Sequence, residues 1–255
     1  QPPHPLSEMQ KVAYREICQS FKDHQVCLLH GVTSSGKTEI YIHLIEQVIS
    51  QGRQVLLMVP EIALTTQLCQ RMRRVFGRDM FVYHSKLSDT ERVEIWKKML
   101  SGQGSKLIVG VRSSIFLPFH QLGLIIVDEE HEPSYKQQDP APRYHGRDVA
   151  IVLAQRHAAK VLLGSATPSL ESYYLAKNGK YGLVHLTERH AGVSMPKITL
   201  VSNRTTQQNT AEAAYLGVFT PSLLQSLGRT LTAGQQAILF QNRRGYAKQV
   251  ECVSC

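Results

Sequence analysis

The chain has 255 residues, 42% of them hydrophobic and 19% charged, a globular balance that excludes an intrinsically disordered polypeptide. The longest apolar runs, Val55–Pro60 and Leu122–Val127, have the length of buried strands rather than membrane spans, and residues 1–20 show no basic-then-apolar leader, so neither a membrane partner nor a secretory signal is expected and the location reads as cytoplasmic. Lysine plus arginine outnumber aspartate plus glutamate by 29 to 20, a net charge of +9 that favours a polyanionic partner.

In chain order, Ser7–Gln19 has helical spacing with Ser7 as N-cap. A strand at Val26–His30 runs into Gly31–Thr38, and Glu39–Ser50 follows as a helix. Strand Gln54–Val59, helix Ala63–Phe76, strand Met80–Tyr83 and helix Asp89–Leu100 repeat the alternation, and strands Lys106–Gly110 and Gly123–Asp128 follow. Glu132–His145, with prolines and tyrosines and little periodicity, reads as a long functional loop. Helix Gly146–His157, strand Lys160–Gly164 and helix Leu170–Asn178 complete an α/β unit with a parallel sheet. The pattern then weakens. Domains are expected at 1–202 and 215–255, joined by a polar linker at 203–214, with helix Pro221–Leu231 and strand Gln236–Gln241 opening an incomplete second unit.

Among the five cysteines, Cys18, Cys27 and Cys69 read as reduced core thiols. Cys252 and Cys255 form a CxxC, half of a tetrahedral Zn²⁺ site, after which the chain reads as truncated. Trp96 is expected in the core, and the run Arg71, Arg73 and Arg74 on a solvated helix face.

Gly31-Val32-Thr33-Ser34-Ser35-Gly36-Lys37-Thr38 matches G-x-x-x-x-G-K-[ST] between a strand and a helix, the context the motif needs. Backbone N–H groups of such a loop wrap phosphate oxygens, which side chains at the glycines would obstruct, and the helix N-terminus faces the same anion. Lys37 is placed for the β- and γ-phosphates of ATP, and Thr38 for Mg²⁺. The strand Leu124–Val127 ends in Asp128-Glu129-Glu130-His131. Ligands of an open parallel sheet lie beyond the strand carboxyl ends. Asp128 therefore shares the Mg²⁺ with Thr38, and Glu129 polarises the attacking water. His131 is either a structural hydrogen-bonding residue or a link from nucleotide state to the rest of a motor, the link being favoured.

For nucleic acid, Thr65, Thr66, Arg112 and Ser113 stand at strand and helix ends where each is either a phosphate contact or an ordinary cap. Tyr135, Lys136, Arg143 and Tyr144 combine stacking rings with cations, which favours DNA over the plain alternative of a core-packed tyrosine pair.

Longer strings narrow the assignment. Asp128–His131 looks like the DExH box of superfamily 2 helicases, and Gly164-Ser165-Ala166-Thr167-Pro168 is similar to their Ser-Ala-Thr motif. Gly31–Tyr41, Val59–Thr65, His84-Ser85, Gly110–Ser113, Ser134–Gln138, Arg143–His145 and Ile238–Tyr246 all resemble the PriA family of replication-restart helicases, in family order over nearly the whole chain. The resemblance implies a RecA-like P-loop NTPase sheet with helices on both faces and the start of a second motor lobe, in which Arg243 is counted among the DNA contacts. It also implies an ATP-dependent 3′-to-5′ DNA helicase acting at forked or single-stranded DNA, with a single-stranded-DNA-binding protein and primosome proteins as partners. In the same way it implies that Gln10 contacts adenine, that Ser165 and Thr167 couple hydrolysis to DNA movement, that the loop around Tyr135–Tyr144 couples DNA binding to hydrolysis, and that Cys252 and Cys255 open a zinc-binding insertion. Ser34 stands where the family commonly has glycine, and Gly146 where alanine is frequent. The alternatives are a duplex translocase without strand separation and a catalytically idle nucleotide- or DNA-binding module.

Overall fold

A computed structural model describes residues 2–102, 104–188, 197–201 and 219–240. Two compact units divide at Ser194/Met195. The first is an α/β sandwich whose elements follow in the order α1 (Glu8–Asp23), β1 (Val26–Gly31), α2 (Lys37–Ser50), β2 (Gln54–Met58), α3 (Thr66–Phe76), β3 (Met80–Tyr83) and α4 (Asp89–Leu100). They continue as β4 (Leu107–Gly110), β5 (Leu122–Asp128), α5 (Gly146–Arg156), β6 (Lys160–Ser165), α6 (Leu170–Lys177) and β7 (Gly182–Leu186). The seven strands form one sheet in the order β3-β4-β2-β5-β6-β1-β7, and every neighbouring pair is parallel.

Short apolar runs such as Val26–Leu29 and Leu124–Val127 become central strands because both of their faces are covered. Cys27, Leu29, Leu57, Ile126 and Leu162 point to one side, where they meet Ala13 and Ile17 of α1, Ile40 and Ile45 of α2 and Met72 of α3. The alternate residues Leu28, Leu56, Ile125, Val127 and Leu163 meet Met99 of α4, Ala150 and Ala154 of α5 and Ala176 of α6. Each such side chain, fully buried, contributes roughly 1.5–3 kcal/mol of hydrophobic stabilisation.

Helix starts follow local chemistry. Ser7 caps α1 in a reciprocal capping box with Gln10, and Ser88 caps α4 in another with Glu91. Thr65 caps α3 by accepting from the Leu68 amide at 3.2 Å, so that helix begins at Thr66, three residues later than its apolar spacing suggests.

Three expectations change. Trp96 is 44% exposed. The sheet-facing side of α4 is set by Ile95 and Met99, and Trp96 lies one residue, about 100° of helical rotation, away. Of the three thiols only Cys27 is core, and burial pushes it up to about 12; Cys18 and Cys69 are half-buried, and all three are free.

The described part of the second unit holds a helix α7 (Pro221–Thr232) capped by Thr220. Gln236–Phe240 forms no strand and is exposed. A strand needs hydrogen-bonded neighbours, and the described residues of this unit contain no other. The linker at 203–214, Arg243, Cys252 and Cys255 lie outside the described residues. Among the described residues no helix is long and apolar enough to cross a membrane.

Candidate nucleotide site and the groove beside it

The phosphate loop closes the carboxyl end of β1 and delivers α2. Gly36 has φ +80°, and a Cβ there would overlap the Gln10 amide; a Cβ on Gly31 would lie 3.0 Å from both Lys37 Cγ and Ser35 Oγ. Gly36 is therefore favoured by its conformation, and at Gly31 a side chain would press tightly on Lys37 and Ser35. Gln10 is buried. Its Nε2 donates to the carbonyls of Ser35 and Gly36, each at 3.3 Å, and its Oε1 accepts from the Ser7 amide at 2.9 Å. The residue expected at adenine thus fastens α1 to the phosphate loop. Lys37, its side chain 10% exposed, donates to the Gly31 carbonyl at 3.0 Å and lies 4.0 Å from Glu129.

Ser34 has φ +62°, which explains physically why glycine suits the position. A non-glycine residue there costs about 1–2 kcal/mol. Ser34→Gly is expected to raise the melting temperature by roughly 2 °C, after the larger chain entropy of glycine is subtracted, with nucleotide affinity unimpaired. Thermal melts with and without nucleotide check this.

Asp128 ends β5, with β6 between it and the phosphate loop. The hydroxyl of Tyr41, a buried residue of α2, reaches across β6 and donates to Asp128 Oδ1 at 2.8 Å. It passes over Gly164, which pairs with Asp128 in register and whose Cβ would overlap that hydroxyl. Burial pushes the Asp128 carboxyl up, against the lowering effects of the Tyr41 hydroxyl and the Lys37 charge. Burial and then the Asp128 charge push Glu129 up, against Lys37 and His131. Glu129 also has φ +47°, backbone strain of the kind found at functional sites.

Beyond them, His131 Nδ1 lies 2.7 Å from Ser165 Oγ and 3.6 Å from Glu129, and its Nε2 is 3.4 Å from the Thr167 hydroxyl. Ser165 also accepts from the Thr167 amide at 2.9 Å. His131 therefore sits between the acidic strand end and the Ser165–Thr167 turn.

Gln10, the loop residues Ser34–Thr38, Asp128 and Glu129 line one cavity of about 880 Å³. Thr33, in the same loop, is exposed. The donor set suits a magnesium nucleotide. Thr38 and Asp128 offer hard oxygens for Mg²⁺, and the buried Ser35 hydroxyl has no protein partner. Arg71 also lines this cavity and forms an ion pair with Glu39 in the first turn of α2, so it is not on a purely solvated face. Arg73, two residues and about 200° round the helix, lines a separate groove.

That groove lies beyond the carboxyl ends of β2, β3 and β4. It comprises hollows of about 380 and 650 Å³ that share Glu61, Ser85 and Val111. Its cations are Arg73 and Lys86 in the first hollow and Arg92, Arg112 and Lys136 in the second. Thr66 and Ser113 also line it, whereas the Thr65 hydroxyl serves as a cap. Lys86 and Arg92 were not singled out from sequence, where they are isolated cations on polar segments.

The loop is an ordered brace. Arg112 donates to the Ser134 carbonyl and to Gln137 Oε1, each at 3.1 Å, and stands 5.5 Å from the Tyr144 ring centre. A Cβ on Gly146 would lie 3.0 Å from Arg112 Cγ, so glycine leaves room for that side chain. Lys136 donates to the Arg143 carbonyl at 2.5 Å, and Arg143 to the Gln138 carbonyl at 2.8 Å. Tyr144 is half-buried and edge-on to Phe116. Tyr135 corrects the expectation of a stacking ring. It is 1% exposed, and its hydroxyl donates toward the Met58 carbonyl at 3.1 Å and the Asp128 carbonyl at 2.7 Å. A ring enclosed on both faces cannot stack on a base; Tyr135 anchors the loop to β5.

The fold and these motifs belong together: the chain is a member of the DEAD/DEAH box helicase family, whose model matches residues 7–175. It is similar to the replication restart protein PriA of Bacillus subtilis, with 44% identity over 255 residues, covering 99% of this chain and 31% of that protein. It is likewise similar to PriA of Haemophilus influenzae, with 45% identity over 250 residues, covering 98% of this chain and 33% of the relative. The chain thus spans about one third of the length of these relatives. Two solved structures share the fold. RecG bound to a three-way DNA junction matches with a TM-score of 0.54 and 24% identity, over 75% of this chain and 25% of RecG. The Pyrococcus furiosus Hef helicase domain matches with a TM-score of 0.51 and 21% identity, over 72% of this chain and 38% of that one.

Proposed function

We propose that this chain is the ATP-binding lobe of a DNA helicase of replication restart, moving 3′-to-5′ on forked or single-stranded DNA. The observation that carries this reading is the Tyr135 bond to the Asp128 carbonyl, which ties the loop bordering the basic groove to the residue suited to hold Mg²⁺. Lys37 holds the nucleotide phosphates, and Thr38 and Asp128 hold the Mg²⁺ that offsets their charge. Glu129 orients the water, and His131 carries the state of the site to Ser165 and Thr167. The groove cations Arg112, Lys136 and Arg73 hold DNA phosphates without regard to sequence. Of the finer assignments, adenine at Gln10 rests on resemblance to superfamily 2 helicases, and Zn²⁺ at Cys252 and Cys255 and partnership with a single-stranded-DNA-binding protein and primosome proteins rest on similarity to PriA.

Among the described residues, Lys37 and Arg71 are the lysine or arginine side chains lining the cavity, and Arg71 is engaged by Glu39. An arginine finger is worth roughly 10³–10⁵ in turnover. This chain alone is therefore expected to bind nucleotide and turn it over slowly. The test is ATP hydrolysis with and without forked DNA, on this chain and on the full-length protein. Full-length turnover should rise with DNA, and Glu129→Gln should lower it by about 100-fold or more while nucleotide binding persists. A full-length protein indifferent to DNA would sink the proposal.

A further inference from the structure

Glu130 has no part in the nucleotide site, although it lies between Glu129 and His131. Its side chain turns the other way and is fully buried. The carboxylate accepts from the Ser169 amide at 2.7 Å, the Ser169 hydroxyl at 3.0 Å, the Ser172 hydroxyl at 2.8 Å and Arg147 Nη1 at 2.9 Å. The same Arg147 nitrogen lies 2.8 Å from Ser169 Oγ and 3.3 Å from Ser172 Oγ, and its Nε donates to Asp148 at 3.0 Å.

The three segments that meet here are the mechanically important ones. Glu130 belongs to the acidic end of β5. Arg147 is the second residue of α5, directly after the loop that runs from Ser134 to His145. Ser169 is the N-cap of α6, four residues beyond the Ser165 that His131 contacts. No side chain caps α5 itself, and Arg147 ties its first turn to Glu130 and the start of α6.

Stability alone does not call for this arrangement, because apolar replacements of a buried ion pair are often neutral or stabilising. What a fully satisfied buried network does supply is a fixed geometry. Separating Arg147 from Glu130 would strand a buried charge, so the first turn of α5, the start of α6 and residues 129–131 must shift as one body. A shift of the loop then reaches Glu129 and His131 from behind.

We infer that Arg147 is a positioning residue which, through Glu130, Ser169 and Ser172, transmits displacement of the 134–145 loop to the hydrolytic end of β5. This rests on the proposed function, in that DNA is what displaces the loop.

The test uses the full-length protein carrying Glu130→Met with Arg147→Met, which removes the charges while approximately retaining volume. ATP turnover with and without forked DNA, nucleotide affinity and melting temperature are measured together. The expected result is a folded protein with nucleotide affinity within about twofold and basal turnover retained, whose stimulation by DNA falls tenfold or more through kcat rather than KM. Full DNA stimulation in that folded double variant would overturn the inference. Should the double variant fail to fold, Arg147→Lys and Glu130→Gln keep the shape of the cluster, and each is expected to lower stimulation by about threefold. Unchanged stimulation in both, whatever their melting temperatures, would overturn it equally. Absence of DNA stimulation in the unmodified protein would instead refute the proposed function, and the inference would fall with it.

Discussion

Lys37→Ala is expected to lower the affinity of this chain for ATP by about 100-fold, or roughly 2.8 kcal/mol, without unfolding it. The reason is the position of the ammonium group. It is nearly enclosed, held by the Gly31 carbonyl at 3.0 Å, and lies 4.0 Å from Glu129, so it stands where phosphate oxygens would displace a backbone contact. A charge-assisted hydrogen bond in such a setting is about twice as strong as a neutral one, and alanine replaces it with nothing. The folded state depends little on it, since the core on either side is built from residues such as Ile40 and Leu29 that do not contact the ammonium group. Titration with a fluorescent ATP analogue, beside a thermal melt, checks both halves. An affinity within threefold of the unmodified chain would mean that the nucleotide lies elsewhere.

Gly164→Ala is expected to destabilise the chain by about 2–4 kcal/mol and to weaken magnesium-dependent nucleotide binding. The added methyl would occupy the space of the Tyr41 hydroxyl and lie 3.0 Å from its Cζ and 3.4 Å from Asp128 Oδ1. Tyr41 is 1% exposed and wedged in the core, so the clash is relieved only by strain or by loss of its bond to Asp128. Overpacking of this kind costs about 1–3 kcal/mol and loss of a bond to a charged acceptor about 1.5–3 kcal/mol, and partial relief by each route keeps the total below their sum. For a domain of this size the melting temperature should fall by roughly 5–15 °C. A second substitution isolates the cause. Tyr41→Phe vacates the space of the hydroxyl, so Gly164→Ala should cost much less in that background, a coupling that a double-mutant cycle reads directly. Additive effects would show that the two positions do not meet as described.

Much of this site was legible because its signals are local. The phosphate loop lies within eight consecutive residues. Its glycines, lysine and threonine act through the backbone of the same turn, so a strand before it and a helix after it suffice to place it. The acidic end of β5 was equally readable, since an apolar run that stops at Asp128 puts that residue at the carboxyl edge of a parallel sheet. The Ser7 cap was readable for the same reason, since the bonds it makes with Gln10 close within three residues.

What the sequence could not supply are relations between distant residues. Tyr41 lies within a motif string, yet its bond to Asp128 spans 87 positions and exists because β6 happens to carry glycine between them. Tyr135 stands in a proline-rich loop that suggests an exposed ring, but the loop folds back and hands that ring to the core beneath β2 and β5. Arg71 and Arg73 look alike in a basic run; helical rotation sends one to the nucleotide cavity and the other to the groove. The expected strand Gln236–Gln241 had the right residues, and over its described part it pairs with no other described residue.

By itself, then, the sequence determined the chemistry that nearest neighbours define, namely the alternation of strands and helices, the phosphate loop, the paired acids and the family to which they belong. Only the tertiary structure decided which groups face one another across the sheet. It brought Tyr41 to Asp128 over Gly164, Arg147 to Glu130 behind the site, and Tyr135 into the core. Each of these contacts depends on strand order and on which elements are brought side by side, and neither is encoded within any one segment.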